Sequence, residues 1–334
     1  MKELLNYLFD HNKLTKDEAK QVLIDISKSK YNETQVTSFI SIFLMRSITV
    51  DELEGFRQAL LELAKPVDID NTELIDLCGT GGDGKNTFNI STLTSFVVAA
   101  YGKKVAKHGN YGVSSVCGSS NVLESLGYRF SNDSNILEEQ LEKCNITFLH
   151  APLFHPAMKF VGPIRKQMGV KTFFNMLGPI VNPVQPRYQS VGVFSLKLQR
   201  LYSHIFQKTD KKYNILYDLG GYDEYSNTGT TKLIRRTGEK LVDPSHFNLK
   251  ACENIDIFGG NTVQEAASIF TNLLENKSPH KHKEVVSANA AIALSLYDKD
   301  ASLESLYHEA MEIIESGKAY GTFKQLIRLS QEKT

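Results

Sequence analysis

At 334 residues the chain exceeds the usual length of one domain, so two domains, or one large domain with a smaller appendage, are expected. Lysine plus arginine number 38 and aspartate plus glutamate also 38, which leaves no net field to draw the chain to nucleic acid or an anionic membrane surface. Cys78, Cys117, Cys144 and Cys252 lie far apart, form no CxxC pair and are too few to staple such a fold. With no apolar run of membrane-spanning length and no signal-peptide pattern in MKELLNYLFDHNK, a soluble, cytoplasmic protein with reduced thiols is expected.

In chain order, the first 65 residues read as helices alone. Thr15 with Glu18 opens the stripe Ala19, Val22, Leu23, Ile26; Asn32 with Gln35 opens Val36, Phe39, Ile40, Phe43; Thr49 with Glu52 opens Leu53, Phe56, Leu60 before Pro66 interrupts. Helices this short bury little area by themselves, so they should lean on the rest of the chain or on a second subunit. From about Leu74 short apolar runs alternate with amphipathic stretches, the texture of an α/β domain with a mostly parallel central sheet. Strands are expected at 73–78, 103–108, 146–150, 189–195 and 213–219, with helices at 91–100, 134–143 and 197–207. The last third is helix-rich, with helices capped at Thr262 and expected at 284–297 and 302–316. The segment KTFFNMLGPIVNP, 171–183, looks helical, is broken at Pro179 and Pro183, and is able to pack back on the amino-terminal helices.

The densest chemistry lies at GTGGDGKNTFNIST, 79–92. A strand runs into glycines whose missing side chains let backbone N–H groups close around an anion, and the segment ends at a Ser/Thr helix start where unpaired amides favour phosphate. A tight strand-to-helix turn would explain the glycines but does not require Thr87, Asn89, Ser91 and Thr92 together. Neither a Walker A ending nor a GxGxxG spacing is present. The next strand ends in Lys107-His108-Gly109-Asn110, followed by VSSVCGSS with Ser114, Ser115 and Ser119. In a parallel sheet this second polar loop should face the same crevice, so that two phosphate groups can be held there. Lys107 suits a phosphate as a point charge. His108 reads more readily as structural than as a proton carrier, and Cys78 and Cys117 as packing residues.

Asp223 and Glu224 follow the apolar strand YNILYDLG. Adjacent carboxylates on an extended chain point apart, which suits them to bracket hard cations, magnesium above all, rather than to chelate one jointly. A solvated acidic turn is the plain alternative; the position beside two phosphate loops weighs against it. Arg165, in the basic segment 155–166, has a fork that fits an aromatic carboxylate, although a surface arginine accounts for it equally well.

GTGGDGKNTFNIST, KHGN, VSSVCGSSNVLESLG, the stretch from HPAMK to PIRKQMG, KTFFNMLGPIVNP, the Asp223-Glu224 pair and SANAAIAL resemble, in order and spacing, the signatures of the anthranilate phosphoribosyltransferase family. The likeness covers nearly the whole chain. It implies transfer of phosphoribose from phosphoribosyl pyrophosphate to the amino group of anthranilate, a step of tryptophan biosynthesis, with Mg2+ as cofactor. It also implies a small helical domain, 1–68 with 171–185 packed on it, hinged to an α/β domain of 69–170 and 186–334, with the active site between them and a homodimer formed through the helical domains. Carried over by position, Gly79, Gly82, Asp83, Thr87, Asn89, Ile90, Ser91, Thr92, Lys107 and Ser119 would bind phosphoribosyl pyrophosphate, and His108, Gly109, Asn110, Ser114 and Ser115 join them as the second loop. Ser91, Asp223 and Glu224 would hold the metal; Gly79, Asn110 and Arg165 would meet anthranilate. Tyr111-Gly112 stands where members often have arginine and alanine, and Met45-Arg46-Ser47 replaces a more usual basic-glycine turn. A pyrimidine nucleoside phosphorylase would need a Lys-His-Ser-Thr-Gly-Gly pattern, which is missing. A non-catalytic nucleic-acid-binding relative would need a basic surface and decayed loops.

Overall fold

The computed structural model describes residues 1–112, 116–298 and 300–332. The chain opens with α1 (Lys2–Phe9), α2 (Lys16–Ser27), α3 (Glu33–Met45) and α4 (Val50–Glu62). Thr15, Asn32 and Thr49 each cap the helix that follows, and Glu18, Gln35 and Glu52 return the bond to the cap's own N–H, so the three capping signals act as expected. Then come β1 (Ile75–Gly79), α5 (Ile90–Ala100), β2 (Val105–Gly109), α6 (Ser119–Ser125), α7 (Ser134–Cys144) and β3 (Ile146–His150). Next are α8 (Ala151–Phe154), α9 (Met158–Met168) and two 3-10 turns, Phe173–Met176 and Gly178–Ile180, in the proline-broken segment. The rest is β4 (Tyr188–Gly192), α10 (Leu196–Gln207), β5 (Lys212–Asp218), β6 (Thr231–Arg235), β7 (Gly238–Val242), α11 (Val263–Leu274), α12 (His280–Leu294), α13 (Leu303–Glu315) and α14 (Lys318–Glu332).

These elements form two compact units. The first joins Met1–Pro66 to Ala151–Pro183. Its boundary differs from the expectation that only 171–185 would join the helices: α8 and α9 belong to it as well, α9 packing on α2 and α3. The cause is aromatic. Phe173 stacks on Phe56 of α4 at 4.5 Å between ring centroids and meets Phe43 of α3 edge-on at 5.1 Å, so the inserted segment completes the core of the helices. Arg57, buried on α4, donates to the Ile180 carbonyl at 2.9 Å and fixes the second turn. Glu52 is sealed from solvent, takes N–H bonds from Leu14 and Thr49, and receives both guanidinium nitrogens of Arg46 at 2.9 and 2.5 Å. Burial pushes its carboxyl up, but Arg46 and the amides together outweigh that and hold it below the usual range.

The second unit comprises Val67–His150 and Val184–Thr334. Among the described residues its sheet has the order β3-β2-β1-β4-β5-β6-β7; the first five strands run parallel and β6 and β7 antiparallel. The central strands are buried along almost their whole length, their polar side chains Asp76, Lys107, His108, Thr147, Gln189 and Ser190 included, as strands covered on both faces must be. α5 and α12 are buried almost all round, and the small side chains of Ala288, Ala290, Ala291 and Ala293 let α12 lie close against α5 and α13. β6 is mostly buried and β7 mostly exposed; Lys232 pairs with Glu239 across them at 2.7 Å.

Candidate active site

The site is built on the carboxyl ends of β1, β2, β4 and β5. Gly79 ends β1 opposite Gly192 of β4, and both are needed because Asp223 lies over them: a Cβ on Gly79 would stand 2.4 Å from Asp223 Oδ2, and one on Gly192 only 1.4 Å from the Asp223 carbonyl oxygen. Past Gly79 the chain turns through Gly81, Gly82 and Gly84, with φ of 65°, 77° and 76°, a region closed to most side chains. The loop is backed by a distant segment. Phe88 N–H donates to Ile257 at 3.2 Å, Gly259 N–H to Asn86 at 2.8 Å, and a Cβ at Gly259 would strike the Thr87 backbone. Helix α5 then begins at Ile90. Asn89, its cap, donates instead to the Cys117 carbonyl at 3.2 Å and so links the two polar loops.

The acidic pair faces this loop. Asp223 Oδ2 accepts the Gly81 N–H at 2.6 Å, Glu224 Oε1 accepts the Ser91 N–H at 3.0 Å, and the Asp223 N–H donates to Asp83 at 3.4 Å. The two carboxylates thus diverge onto separate parts of the loop. Burial, and then the charges of Glu224 and Asp83, push Asp223 well above the carboxylate range; burial likewise raises Glu224 to about 7 although Ser91 and Lys107 oppose it. Lys107 is buried beneath the loop, donating to the Leu77 carbonyl and, at 3.2 Å, to Ser91 Oγ. Three carboxylates with one buried ammonium form a region short of positive charge. Its donors are hard oxygens, which suits a divalent cation such as Mg2+, with Ser91 beside the pair. Among the described residues no three carboxylate, histidine or cysteine side chains form a closed metal cage. Magnesium does not require one, since it keeps waters and shares substrate phosphates.

At the second loop, His108 is buried on β2 and its N–H donates to Asp76 at 3.1 Å. The Asn110 carbonyl accepts from Ser120 N–H at 3.2 Å and Ser119 Oγ at 3.4 Å, while Asn121 Oδ1 accepts the N–H groups of both Gly112 and Gly118. Ser114 and Ser115 lie outside the described residues. Tyr111 donates to Glu124 at 2.8 Å. Burial raises the Cys117 thiol to about 11 and pushes the Cys78 thiol well above its ordinary range, so neither is an activated nucleophile.

The first unit's residues 2–64 match the helical bundle domain of a glycosyl transferase family, and residues 71–320 match the a/b domain of that family. Over 331 residues, 99% of this chain and 100% of the other, the sequence is 54% identical to an anthranilate phosphoribosyltransferase of Christiangramia forsetii. The chain belongs to the anthranilate phosphoribosyltransferase family. A Bacteroides thetaiotaomicron enzyme of that name is 47% identical over 99% of this chain and its own full length. Among solved structures, the anthranilate phosphoribosyltransferase of Thermus thermophilus superposes with a TM-score of 0.90 at 28% identity, covering 98% of this chain and 99% of that one. The Saccharomyces cerevisiae enzyme, in complex with phosphoribosyl pyrophosphate and Mg, gives 0.87 at 26% identity, covering 96% and 94%.

Against this anthranilate phosphoribosyltransferase background, the second unit carries Gly79, Gly82, Asp83, Thr87, Asn89, Ile90, Ser91, Thr92, Lys107, His108, Gly109, Asn110, Ser119, Asp223 and Glu224 around the strand ends. Arg165 is in the first unit, on α9, over the Phe174 ring at 5.2 Å and 3.3 Å from Asn175 Oδ1. Gly192, Asn121 and the 257–260 backing segment escaped the sequence reading. A glycine closing an apolar strand was the available signal for Gly192, and the Asn at the start of α6 the one for Asn121. Nothing local marked 257–260.

Proposed function

We propose that this chain transfers the phosphoribosyl group of phosphoribosyl pyrophosphate to the amino group of anthranilate, releasing pyrophosphate, as a step of tryptophan biosynthesis. The observation that carries the reading is the acidic pair facing the glycine loop: buried carboxylates pushed up in pKa beside an anion-binding turn suit a substrate that arrives as a magnesium-bound polyphosphate. Ser91, Asp223 and Glu224 would hold Mg2+, which when bound supplies charge to offset the pyrophosphate leaving group. The loop from Gly79 to Thr92, with Lys107, His108, Gly109, Asn110, Ser114, Ser115 and Ser119, would bind phosphoribosyl pyrophosphate.

As the bond from the anomeric carbon to pyrophosphate oxygen breaks, positive charge grows on the sugar and negative charge on the leaving group. Loop amides and the Lys107 ammonium stabilise the latter. The arylamine of anthranilate is uncharged at neutral pH, so it attacks the opposite face without a strong general base and inverts that carbon. Gly79, Asn110 and Arg165 would meet anthranilate, the Arg165 fork taking its carboxylate. For Arg165 the support is a half-buried guanidinium whose charge burial disfavours, so that a carboxylate partner would be favourable.

We also propose a homodimer through the helical unit, in the cytoplasm. Phe9, Leu44 and Met45 are exposed on α1 and α3, Met45 to 88%, beside a groove lined by Leu8, His11 and Ile42. No helix among the described residues is long and apolar enough to cross a membrane.

The test follows anthranilate fluorescence with phosphoribosyl pyrophosphate and Mg2+. Wild type should consume the signal only with both partners and metal, and an Asp223→Asn, Glu224→Gln variant should lose at least about a thousandfold of the rate while staying folded. A folded wild type that leaves the fluorescence unchanged would sink the reading.

A further inference from the structure

Asp223 and Glu224 sit midway along a connection whose two ends meet at one residue that the sequence reading passed over, Asp218, the last of β5. Its side chain is sealed from solvent. Oδ1 accepts the Gly220 N–H at 2.7 Å, while Oδ2 accepts the hydroxyls of Ser226 at 2.7 Å and Thr231 at 3.1 Å. The backbone of the same residue adds two more ties, its N–H donating to Tyr222 O at 3.2 Å and its carbonyl accepting Gly221 N–H at 2.8 Å. A carboxylate is tolerated in such a place only when donors surround it, and here each donor to its side chain flanks the acidic pair: Gly220 before it, Ser226 and Thr231 after it. A Cβ on Gly220 would come within 3.0 Å of Oδ1, so the close approach depends on glycine. A second clamp holds the middle, where Asn289 of α12 exchanges bonds with the N–H and carbonyl of Tyr225 at 3.2 and 2.7 Å. The carboxylates of Asp223 and Glu224 are thus aimed by a backbone whose ends one buried anion fastens.

We propose that Asp218 is a positioning residue for the acidic pair, setting the affinity of the site for a divalent cation without touching that cation. This rests on the reading of Asp223 and Glu224 as metal-holding residues. Loss of the Asp218 carboxylate frees both ends of the loop, widens the range of carboxylate separations and removes the preorganisation on which cation binding depends.

The experiment titrates Mn2+ into the whole protein and reads free Mn2+ by its paramagnetic resonance, a signal independent of turnover, with melting midpoints to confirm folding. Asp218→Ala should weaken Mn2+ binding at least tenfold and leave the KM for anthranilate within twofold. Asp218→Asn keeps the acceptor for Gly220 but turns an amide NH2 on the Ser226 and Thr231 hydroxyls, so it should recover only part of the loss. Ser226→Ala cuts one of the three ties to the Asp218 side chain, together with the bonds of Ser226 to Thr228, should weaken binding about threefold, and serves if Asp218→Ala does not fold. Wild-type Mn2+ affinity in every folded member of this set, or an equal loss toward anthranilate, overturns the role of Asp218 while leaving the metal reading intact. An Asp223→Asn, Glu224→Gln protein that takes up as much Mn2+ as wild type, or a wild type that takes up none even with phosphoribosyl pyrophosphate present, removes the metal reading and this proposal together.

Discussion

Glu52 in the helical unit and Asp223 in the α/β unit are both carboxylates taken out of water, and their surroundings drive them in opposite directions. Glu52 is answered by a bidentate arginine and by amides, and its charge is complete within the protein. Asp223 meets one amide and two further acids, and its charge is left for something else to balance. Buried acids that are paired internally support the fold, whereas buried acids short of a counter-charge are what the proposed cation site requires.

Beyond loss of the acidic pair itself, the largest expected break in this contrast is Gly192→Ala. Its Cβ would collide with the Asp223 carbonyl oxygen, so the acidic loop must move; kcat/KM should fall by at least about a hundredfold, as for a misplaced catalytic geometry. Steady-state kinetics on folded protein check it, and unchanged kinetics would mean that the placement of Asp223 does not matter to the rate. Next, Arg46→Met should cost about 3 kcal/mol in urea unfolding by stranding Glu52, with kcat of the folded fraction unaltered.

The pH response sharpens the same comparison. Glu52 contributes stability that is present above its unfolded pKa and is lost as the pH falls through its lowered folded value, a window below about 4. Glu224, raised to about 7, binds a proton more firmly in the folded state, so without metal its contribution turns unfavourable as pH rises from the unfolded value toward 7. Metal-free wild type should therefore lose roughly 1–3 kcal/mol between pH 5 and 8, a slope that flattens in the Asp223→Asn, Glu224→Gln protein; equal slopes in urea titrations would contradict the assignment. The smallest effect belongs to Gly81→Ala. Nothing lies within 4 Å of its Cβ position, so only the left-handed φ of 65° opposes the change, and melting should report about 1 kcal/mol.

Wherever helical spacing, caps or apolar strands carried a signal, sequence and structure agree closely, as at β3 and in α2 to α4. The hairpin of β6 and β7 went unread because TKLIRRTGEKLV is charge-rich, as an edge pair covered on one side is free to be, with four of five β7 residues exposed. Helix α1 carries no side-chain cap, and α14 follows Gly317 with no capping pattern ahead of it. The glycine loop and acidic pair were legible from composition and order. Their dependence on Gly192, Asp218 and residues 257–260 was not, because close approach and buried hydrogen bonds between distant segments leave no periodicity behind.

The Phe173–Phe56 stack has a consequence for how the chain is made. Residues 1–66 leave the ribosome before the insertion does, and their aromatic core lacks Phe173 until more than a hundred further residues have been synthesised. The sheet is interrupted in the same way, since β4, which sits between β1 and β5, comes after the insertion. Neither unit can therefore finish in the order in which it begins, and a nascent chain stalled between residues 66 and 173 still lacks the ring that covers Phe39, Phe43 and Phe56.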